Sequence, residues 1–370
     1  MNILFLTRSD PKDIHCWSGT LYYMYNKLKE KHHVEVKGTE ILGQFDLFRH
    51  GNLMNSKSPA YRYIRSLNCL LSERINAGNF DVVFFGDLLF LPYLDVNMPI
   101  IYLSDITFDQ LRPHYREPDE KQDKYYINFE KLMLQNSSKI IFSSEWIKEE
   151  AVALYDIDPH KIHVIEFGAN IPSPLDYCID INTEICRLVF IGADWKRKGG
   201  EKVLDTYKIL KKKRFPCTLT IIGSVPDYIT YEDKDLTIIH NLDKTNSKHL
   251  EKLCEILKES HFLFLPTVFD AFGIVFCEAS AYALPSITAN VGGVRQVVDE
   301  GKNGYLLPSD ATEQDYADKI TSVFNDTKGY IRLRASSRHE FETRLNWDVW
   351  AEQVNRILED AVCSQKAAHV

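Results

Sequence analysis

Residues 262–293, FLFLPTVFDAFGIVFCEASAYALPSITANVGG, decide the fold. Two short apolar runs, Phe262–Pro266 and Ser286–Ala289, bracket a small-residue helical stretch over Phe276–Ala283. Strand, helix and strand in so short a span make a βαβ unit, whose two strands run parallel. Asp270 and Glu278 flank an apolar segment opened by Phe272 and Gly273. Phe272, Gly273, Ile274 and Val275 are expected at the helix start, where N–H groups lack intrahelical partners and can meet anionic oxygens. A glycine there lets the backbone come close to a ligand. Taken singly, Asp270 reads equally well as a helix cap and Glu278 as a solvated charge. Their conjunction with the Gly292-Gly293 turn that follows favours a binding site.

The same rhythm extends in both directions. In the first half, strands are expected at Ile3–Thr7, Val34–Lys37, Val82–Phe85, Ile100–Leu103, Lys139–Phe142 and His163–Glu166. Helices are expected between them at Leu21–Lys31, Tyr61–Ala77, Lys124–Gln135 and Glu145–Leu154, from their spaced apolar positions. In the second half, strands are expected at Arg187–Ile191, Thr218–Ile222, Thr237–His240, Phe262–Pro266, Ser286–Ala289 and Gly304–Leu307. The intervening helices are Gly200–Lys213, Ser247–Ser260, Phe276–Ala283, Val294–Asp299 and Glu313–Phe324, and Tyr330–Ala361 reads as helical throughout with a kink or docking point at Trp347 and Trp350. Residues 172–185, PSPLDYCIDINTEI, break the pattern with two prolines and read as a linker. This alternation predicts an α/β protein of two doubly wound, Rossmann-like domains with a cleft between them: 1–171, and 186–346, with a final helix 347–370 returning to the first. In such sheets ligands sit beyond the carboxyl ends of strands.

Composition narrows the function. A length of 370 residues, 45% hydrophobic and 26% charged, suits a globular chain of two domains, and a net charge of −8 argues against nucleic acid as partner. Eight cysteines (Cys16, Cys69, Cys178, Cys186, Cys217, Cys254, Cys277 and Cys363) include no C-x-x-C pair and read as reduced, mostly buried thiols. His32, His33, His114 and His163 show no ligand spacing, so no metal is expected. No stretch has the ~20 apolar residues of a membrane span, and the start MNILFLTRSD is too short an apolar run for a leader. A soluble, cytoplasmic protein is expected.

Three further segments carry chemistry. Ile191–Gly200, IGADWKRKGG, leads from a strand to a helix with Lys196, Arg197 and Lys198 in the turn, the cations that a diphosphate needs. A solvated basic loop is the plain alternative. The N-terminal loop Thr7–Thr20 places Ser18-Gly19 before a helix, suited to presenting N–H groups to a phosphate or serving as a structural turn. Tyr102–Phe108 places Asp105 and Thr107 at a strand end, where Asp105 can accept a proton or form a turn. The basic run Lys211–Arg214 suits either an anionic lipid surface or a helix end favoured by the dipole. No Walker loop, nucleophile elbow or Gly-x-Gly-x-x-Gly after the first strand is present.

Together, the Gly192–Gly200 string, the Asp270–Glu278 segment, Trp17-Ser-Gly-Thr20 and Asn346-Trp347 resemble glycosyltransferase family 4, the retaining group with the GT-B fold, in a branch with Gly-x-Asp-Trp-x-Arg-Lys-Gly-Gly. The resemblance implies a hexosyltransferase-type enzyme of polysaccharide or glycolipid synthesis. Its partners would be a nucleotide-diphosphate sugar donor and a glycan or lipid-linked acceptor, with no cofactor or metal and room for peripheral contact at the inner membrane face. It implies Asp105, Asp270, Arg197 and Lys198 as catalytic residues, and Gly19, Arg197, Lys198, Asp270, Phe272, Gly273, Ile274, Val275 and Glu278 as donor-binding. Arg197 and Lys198 would neutralise the diphosphate, Glu278 would hold the ribose, and Asp270 the transferred sugar. The sequence departs from the family pattern in four places: Asp270 for Glu, Ser104 for the His before Asp105, Ala193-Asp194 after Gly192, and Arg295-Gln296 for Pro-Glu. A catalytically inactive nucleotide-sugar binder and a GT-B epimerase are the competing readings.

Overall fold

The computed structural model describes residues 1–38, 59–86, 91–114, 117–174, 177, 179, 182 and 184–368. Its contacts divide the chain into two units, Met1–Glu166 with Trp350–Val370, and Phe167–Val349.

The first unit is a six-stranded sheet in the order β2-β1-β3-β4-β5-β6. Its strands are β1 (Asn2–Leu6), β2 (His33–Lys37), β3 (Val82–Phe85), β4 (Ile100–Ser104), β5 (Lys139–Phe142) and β6 (Ile162–Val164), and every pairing is parallel. The helices are α1 (Thr20–Lys29), α2 (Pro59–Asn76), α3 (Phe108–Leu111), α4 (Glu120–Asn136) and α5 (Glu145–Tyr155). The second unit holds α6 (Gly200–Lys212), α7 (Ser247–Glu259), α8 (Ile274–Ala281), α9 (Val294–Val297), α10 (Glu313–Asn325) and α11 (Thr327–Thr343), while α12 (Trp347–Ala368) begins in it and ends in the first. Its strands, β7 (Cys186–Gly192), β8 (Cys217–Gly223), β9 (Leu236–Ile239), β10 (Phe262–Leu265), β11 (Ser286–Ala289) and β12 (Gly304–Leu307), pair in parallel in the order β12-β11-β10-β7-β8-β9.

The sequence explains these choices. β3 and β10, VVFF and FLFL, are buried at every position, as strands covered on both faces must be. β2 and β9 read HVEVK and LTII, are only partly buried, and form sheet edges. The first unit's main core joins Leu4, Leu6, Val83, Phe85, Tyr102 and Phe142 on the strands to Leu67, Leu71 and Ile75 on α2 and Ile147 and Ala151 on α5.

Every strand expected from the pattern is present, with bounds within a residue or two. Three local differences have physical causes. The helix expected from Phe276 begins at Ile274, because Gly273 adopts a left-handed φ of 93° and caps it. The final helical stretch is two helices: the Asn346 side chain accepts from the N–H groups of Asp348 and Val349, both at 3.0 Å, and starts α12 afresh. Residues 167–171, read from sequence as the end of the first domain, lie in the second unit. Phe167 stacks on Trp347 at 5.9 Å and meets Phe272 edge-on at 5.1 Å, while the Trp347 indole donates to Asn170 at 3.0 Å.

Candidate active site

The second sheet runs β7-β8-β9 to one side and then returns to β10 on the other side of β7. Strand order reverses between β7 and β10, the point beyond whose carboxyl ends doubly wound sheets place their ligands. The two loops that leave these strands are the basic turn 193–199 and the segment 266–273.

Backbone contacts lock the loops together. Val268 N–H donates to the Arg197 carbonyl at 2.8 Å, and the Thr267 hydroxyl donates to the Arg197 and Phe269 carbonyls at 3.2 and 3.1 Å. Gly199 is demanded twice: its φ is +77°, and a Cβ would stand 2.2 Å from the Pro266 carbonyl oxygen. Trp195 is buried beneath Gly200 and meets Phe190 edge-on at 5.7 Å, so the turn is anchored through its one large apolar side chain.

Charge concentrates at this junction. Lys198 Nζ lies 2.7 and 2.8 Å from the two carboxylate oxygens of Asp270. Arg197 Nη1 lies 3.4 Å from Asp270 and donates to the Phe269 carbonyl at 3.0 Å, while its Nε meets Asp194 at 3.3 Å. Asp270 is buried, its side chain only 10% exposed. Glu278, on α8, is 4% exposed and pairs with Lys244 Nζ at 2.5 Å. Three cations therefore pair with three carboxylates, of which Asp270 and Glu278 are buried. Breaking one such pair leaves a buried charge without compensation, which is costly.

Phe272 is buried, Gly273 caps α8, and Ile274 and Val275 form its first turn. Gly293 N–H donates to the Asp270 carbonyl at 3.1 Å, so the double-glycine turn supports the backbone of that carboxylate. Arg197, Lys198, Asp270, Phe272, Gly273, Ile274, Val275 and Glu278 are thus brought to one strand-end region of the second unit. Lys244 was missed by the sequence reading. It stands in the loop after β9, at a carboxyl end where doubly wound sheets place ligands, and that position is the only signal it offers.

Gly19 and Asp105 belong to the first unit. Asp105 follows β4 and accepts from the Trp17 indole N–H at 3.1 Å. Trp17, Ser18 and Gly19 are all left-handed, with φ of 48°, 55° and 92°, so the Ser-Gly pair is part of a tight turn whose last residue caps α1. Ser104, where the family pattern has histidine, spends its hydroxyl on its own turn: it donates to the Ile106 carbonyl at 2.7 Å and accepts from Ile106 N–H at 3.2 Å. Thr107 is a helix cap, in a reciprocal box with Gln110, and its hydroxyl also donates to Glu150.

Behind this strand end lies a fully buried carboxyl, Glu130, which accepts from Phe108 N–H at 2.8 Å and from the Tyr155 hydroxyl. Burial raises it to about 8, against the lowering effect of those two hydrogen bonds. The second unit buries His261 instead: Nδ1 accepts from Arg187 N–H at 3.0 Å and Nε2 faces the Asn182 carbonyl at 2.8 Å, which makes Nε2 the protonated nitrogen. Burial and the nearby Arg187 charge pull it down to about 3.

Elsewhere the plain readings and some corrections follow from geometry. Lys211 pairs with Asp235 at 2.6 Å and Lys213 with Asp318 at 2.7 Å, so much of the basic run is neutralised by the protein's own acids. Cys186, Cys217 and Cys277 are buried, but Cys69 and Cys363 are exposed and Cys16 and Cys254 half-buried, so the thiols are not mostly buried; Cys178 lies outside the described residues. Among the described residues, no cluster of three or more His, Cys, Asp or Glu could hold a metal, and no helix is long and apolar enough to cross a membrane.

Residues 180–343 match the family model of the glycosyl transferases group 1. The capsular polysaccharide biosynthesis glycosyltransferase CapM of Staphylococcus aureus is 24% identical over 256 residues, 64% of this chain and 67% of CapM. Among solved structures, sucrose-phosphate synthase from Thermosynechococcus elongatus superposes with a TM-score of 0.70 at 14% identity, covering 98% of this chain and 100% of the other. HepE from Anabaena, solved in complex with UDP, gives 0.68 at 13% identity, covering 97% and 100%. These neighbours have the GT-B fold, and the two doubly wound sheets described above are that fold.

Proposed function

We propose that the chain, whose second unit carries the group 1 match, is a glycosyltransferase that moves a sugar from a nucleoside-diphosphate donor to a hydroxyl acceptor, with retained anomeric configuration, in the synthesis of cell-surface polysaccharide or glycolipid. The observation that carries this reading is the junction of Arg197 and Lys198 with Asp270, at the point where strand order reverses. The complex of HepE with UDP and the role named for CapM support the donor and pathway classes.

The reaction separates charge. The anomeric carbon gains oxocarbenium character while the leaving diphosphate gains negative charge. Lysine and arginine fixed in a partly dry crevice stabilise that leaving group most when its charge is greatest, which lowers the barrier. Lys198 is turned toward Asp270; a diphosphate would share its three N–H donors. Asp270 would then orient the sugar hydroxyls, with the helix start at Gly273, Ile274 and Val275 offering N–H groups to sugar and phosphate. Glu278 would accept from the ribose, Gly19 would approach the phosphates, and Asp105 would act on the acceptor side. These parts require neither metal nor organic cofactor.

The test is turnover on a panel of nucleotide sugars by wild type, Lys198→Ala and Glu278→Ala. Each substitution should lower kcat/KM by roughly a hundredfold, or about 3 kcal/mol. Wild-type rates in both variants would overturn the reading.

A further inference from the structure

We propose that Lys244 is a positioning residue for Glu278, and that their ion pair makes the site select a nucleotide carrying a vicinal diol over its 2′-deoxy counterpart. The inference rests on the proposed role of Glu278 and adds to it the group that makes that role work.

Glu278 sits in the segment IVFCEASA, where Val275, Phe276, Cys277, Ala279, Ser280 and Ala281 are all buried. That helix brings no cation of its own. The counter-charge comes from 34 residues away in sequence, from the loop between β9 and α7. The loop is built to hold Lys244. On one side, the Asp243 carboxylate accepts from the Thr245 N–H at 2.8 Å and the Thr245 hydroxyl at 2.7 Å. On the other, Asn246 caps α7 by accepting from Lys248 and His249, and its own N–H donates to the Asp243 carbonyl at 3.1 Å. The residue carrying the ammonium is therefore fixed by its neighbours, unlike the surface lysines that pair with an acid three positions away.

The chemistry follows from what the pair leaves over. A carboxylate offers about four lone-pair positions, and Lys244 engages Oε1. Hydroxyls on adjacent carbons are spaced to use the remaining positions of one carboxylate. They are strong donors to it only while it is ionised and fixed. A buried carboxylate without its cation takes up a proton or turns toward water, and either change removes acceptors that the diol needs. A site that hydrogen-bonds a hydroxyl rejects the analogue lacking it, because the buried acceptor is then left unmatched. Lys244 thus acts on the nucleotide through Glu278.

The experiment uses the full chain and calorimetric titration. UDP, GDP and ADP are screened, and the tightest is compared with its 2′-deoxy form in wild type, Lys244→Met, Lys244→Gln, Lys244→Arg, Glu278→Gln and the Lys244→Met/Glu278→Gln double variant. Wild type should prefer the ribonucleotide by about tenfold to a hundredfold, the value of one or two charge-assisted hydrogen bonds. Lys244→Met and Lys244→Gln should lose most of that preference while binding the deoxynucleotide as wild type does. Lys244→Arg should restore the preference, and the double variant should be no worse than Glu278→Gln alone. If either neutral variant folds and keeps the wild-type preference, the inference is wrong while the proposed function stands. If wild type binds no ribonucleoside diphosphate, the proposed function falls and takes this inference with it.

Discussion

At the strand ends of the second unit, Arg197 and Lys198 meet Asp270, Arg197 also meets Asp194, and Lys244 meets Glu278. At the end of β4 in the first unit, Asp105 meets the Trp17 indole, and the acids near it, Glu130 and Glu150, are turned inward onto Tyr155, Phe108 and Thr107. Both regions close a strand of a doubly wound parallel sheet, yet they spend charge differently. In the second unit, carboxylates pair with lysine and arginine side chains, cations that the proposed function assigns to an anionic donor. In the first, carboxyls serve as acceptors for backbone and hydroxyl groups and shape the loop that carries Asp105. Sheet topology fixes where a site forms; the side chains at the loops decide whether it suits an anion.

The sharpest way to break this comparison is to remove the charge at Asp270. Asp270→Ala leaves Lys198 without its carboxylate and strips the proposed sugar contact, so kcat/KM should fall by a hundredfold or more, at least about 3 kcal/mol. An unchanged rate measured on any active donor would detach the cluster from the chemistry. A backbone test comes next. Gly199→Ala puts a Cβ against the Pro266 carbonyl at a left-handed φ, and should cost about 2–3 kcal/mol of stability by denaturant melts. In the first unit, Asp105→Asn should lower turnover by about tenfold to a hundredfold, the lower range of acid–base assistance, with nucleoside-diphosphate affinity unchanged. Weakened nucleotide binding in that variant would dissolve the division of labour between the two regions.

Two buried groups with strongly shifted titration, Glu130 and His261, give a smaller and opposite contrast. Glu130 titrates near 4.5 when unfolded and about 8 when folded, so the folded state holds an extra proton between those values. Its contribution is complete below pH 4.5 and is lost as pH rises toward 8. His261 runs the other way, from 6.5 unfolded to about 3 folded, so the unfolded state holds the extra proton. Its contribution is complete above pH 6.5 and is lost as pH falls toward 3. Each slope is at most about 1.4 kcal/mol per pH unit. Stability profiles of Glu130→Gln and His261→Gln should flatten the alkaline and acid limbs respectively. A profile unaltered by either substitution would show that the group is not held as described.

Much of this was legible in the sequence, for identifiable reasons. Strands such as Val82–Phe85 and Phe262–Leu265 announce themselves because parallel strands are buried on both faces. The basic turn was readable because its cations and glycines are contiguous in sequence. What escaped depends on tertiary contact. Lys244 is an ordinary loop lysine until α8 brings Glu278 to it, and Asp270 shows no sign in sequence of clamping Lys198 with both oxygens. The kink at Trp347 was legible, but its cause was not: the Asn346 side chain, accepting from Asp348 and Val349 N–H, makes the break within an otherwise helical composition.

The central claim is that the crevice beside Lys198 and Glu278 takes a nucleoside diphosphate. Thermal unfolding of the intact chain with a nucleoside, its monophosphate and its diphosphate tests this directly, because a ligand at a hundred times its Kd adds about 2.7 kcal/mol of stability. The account predicts that at least one nucleoside diphosphate raises Tm, that its parent nucleoside does not, and that Lys198→Ala abolishes the rise. It is contradicted if no nucleoside diphosphate shifts Tm, or if the shift survives intact in Lys198→Ala.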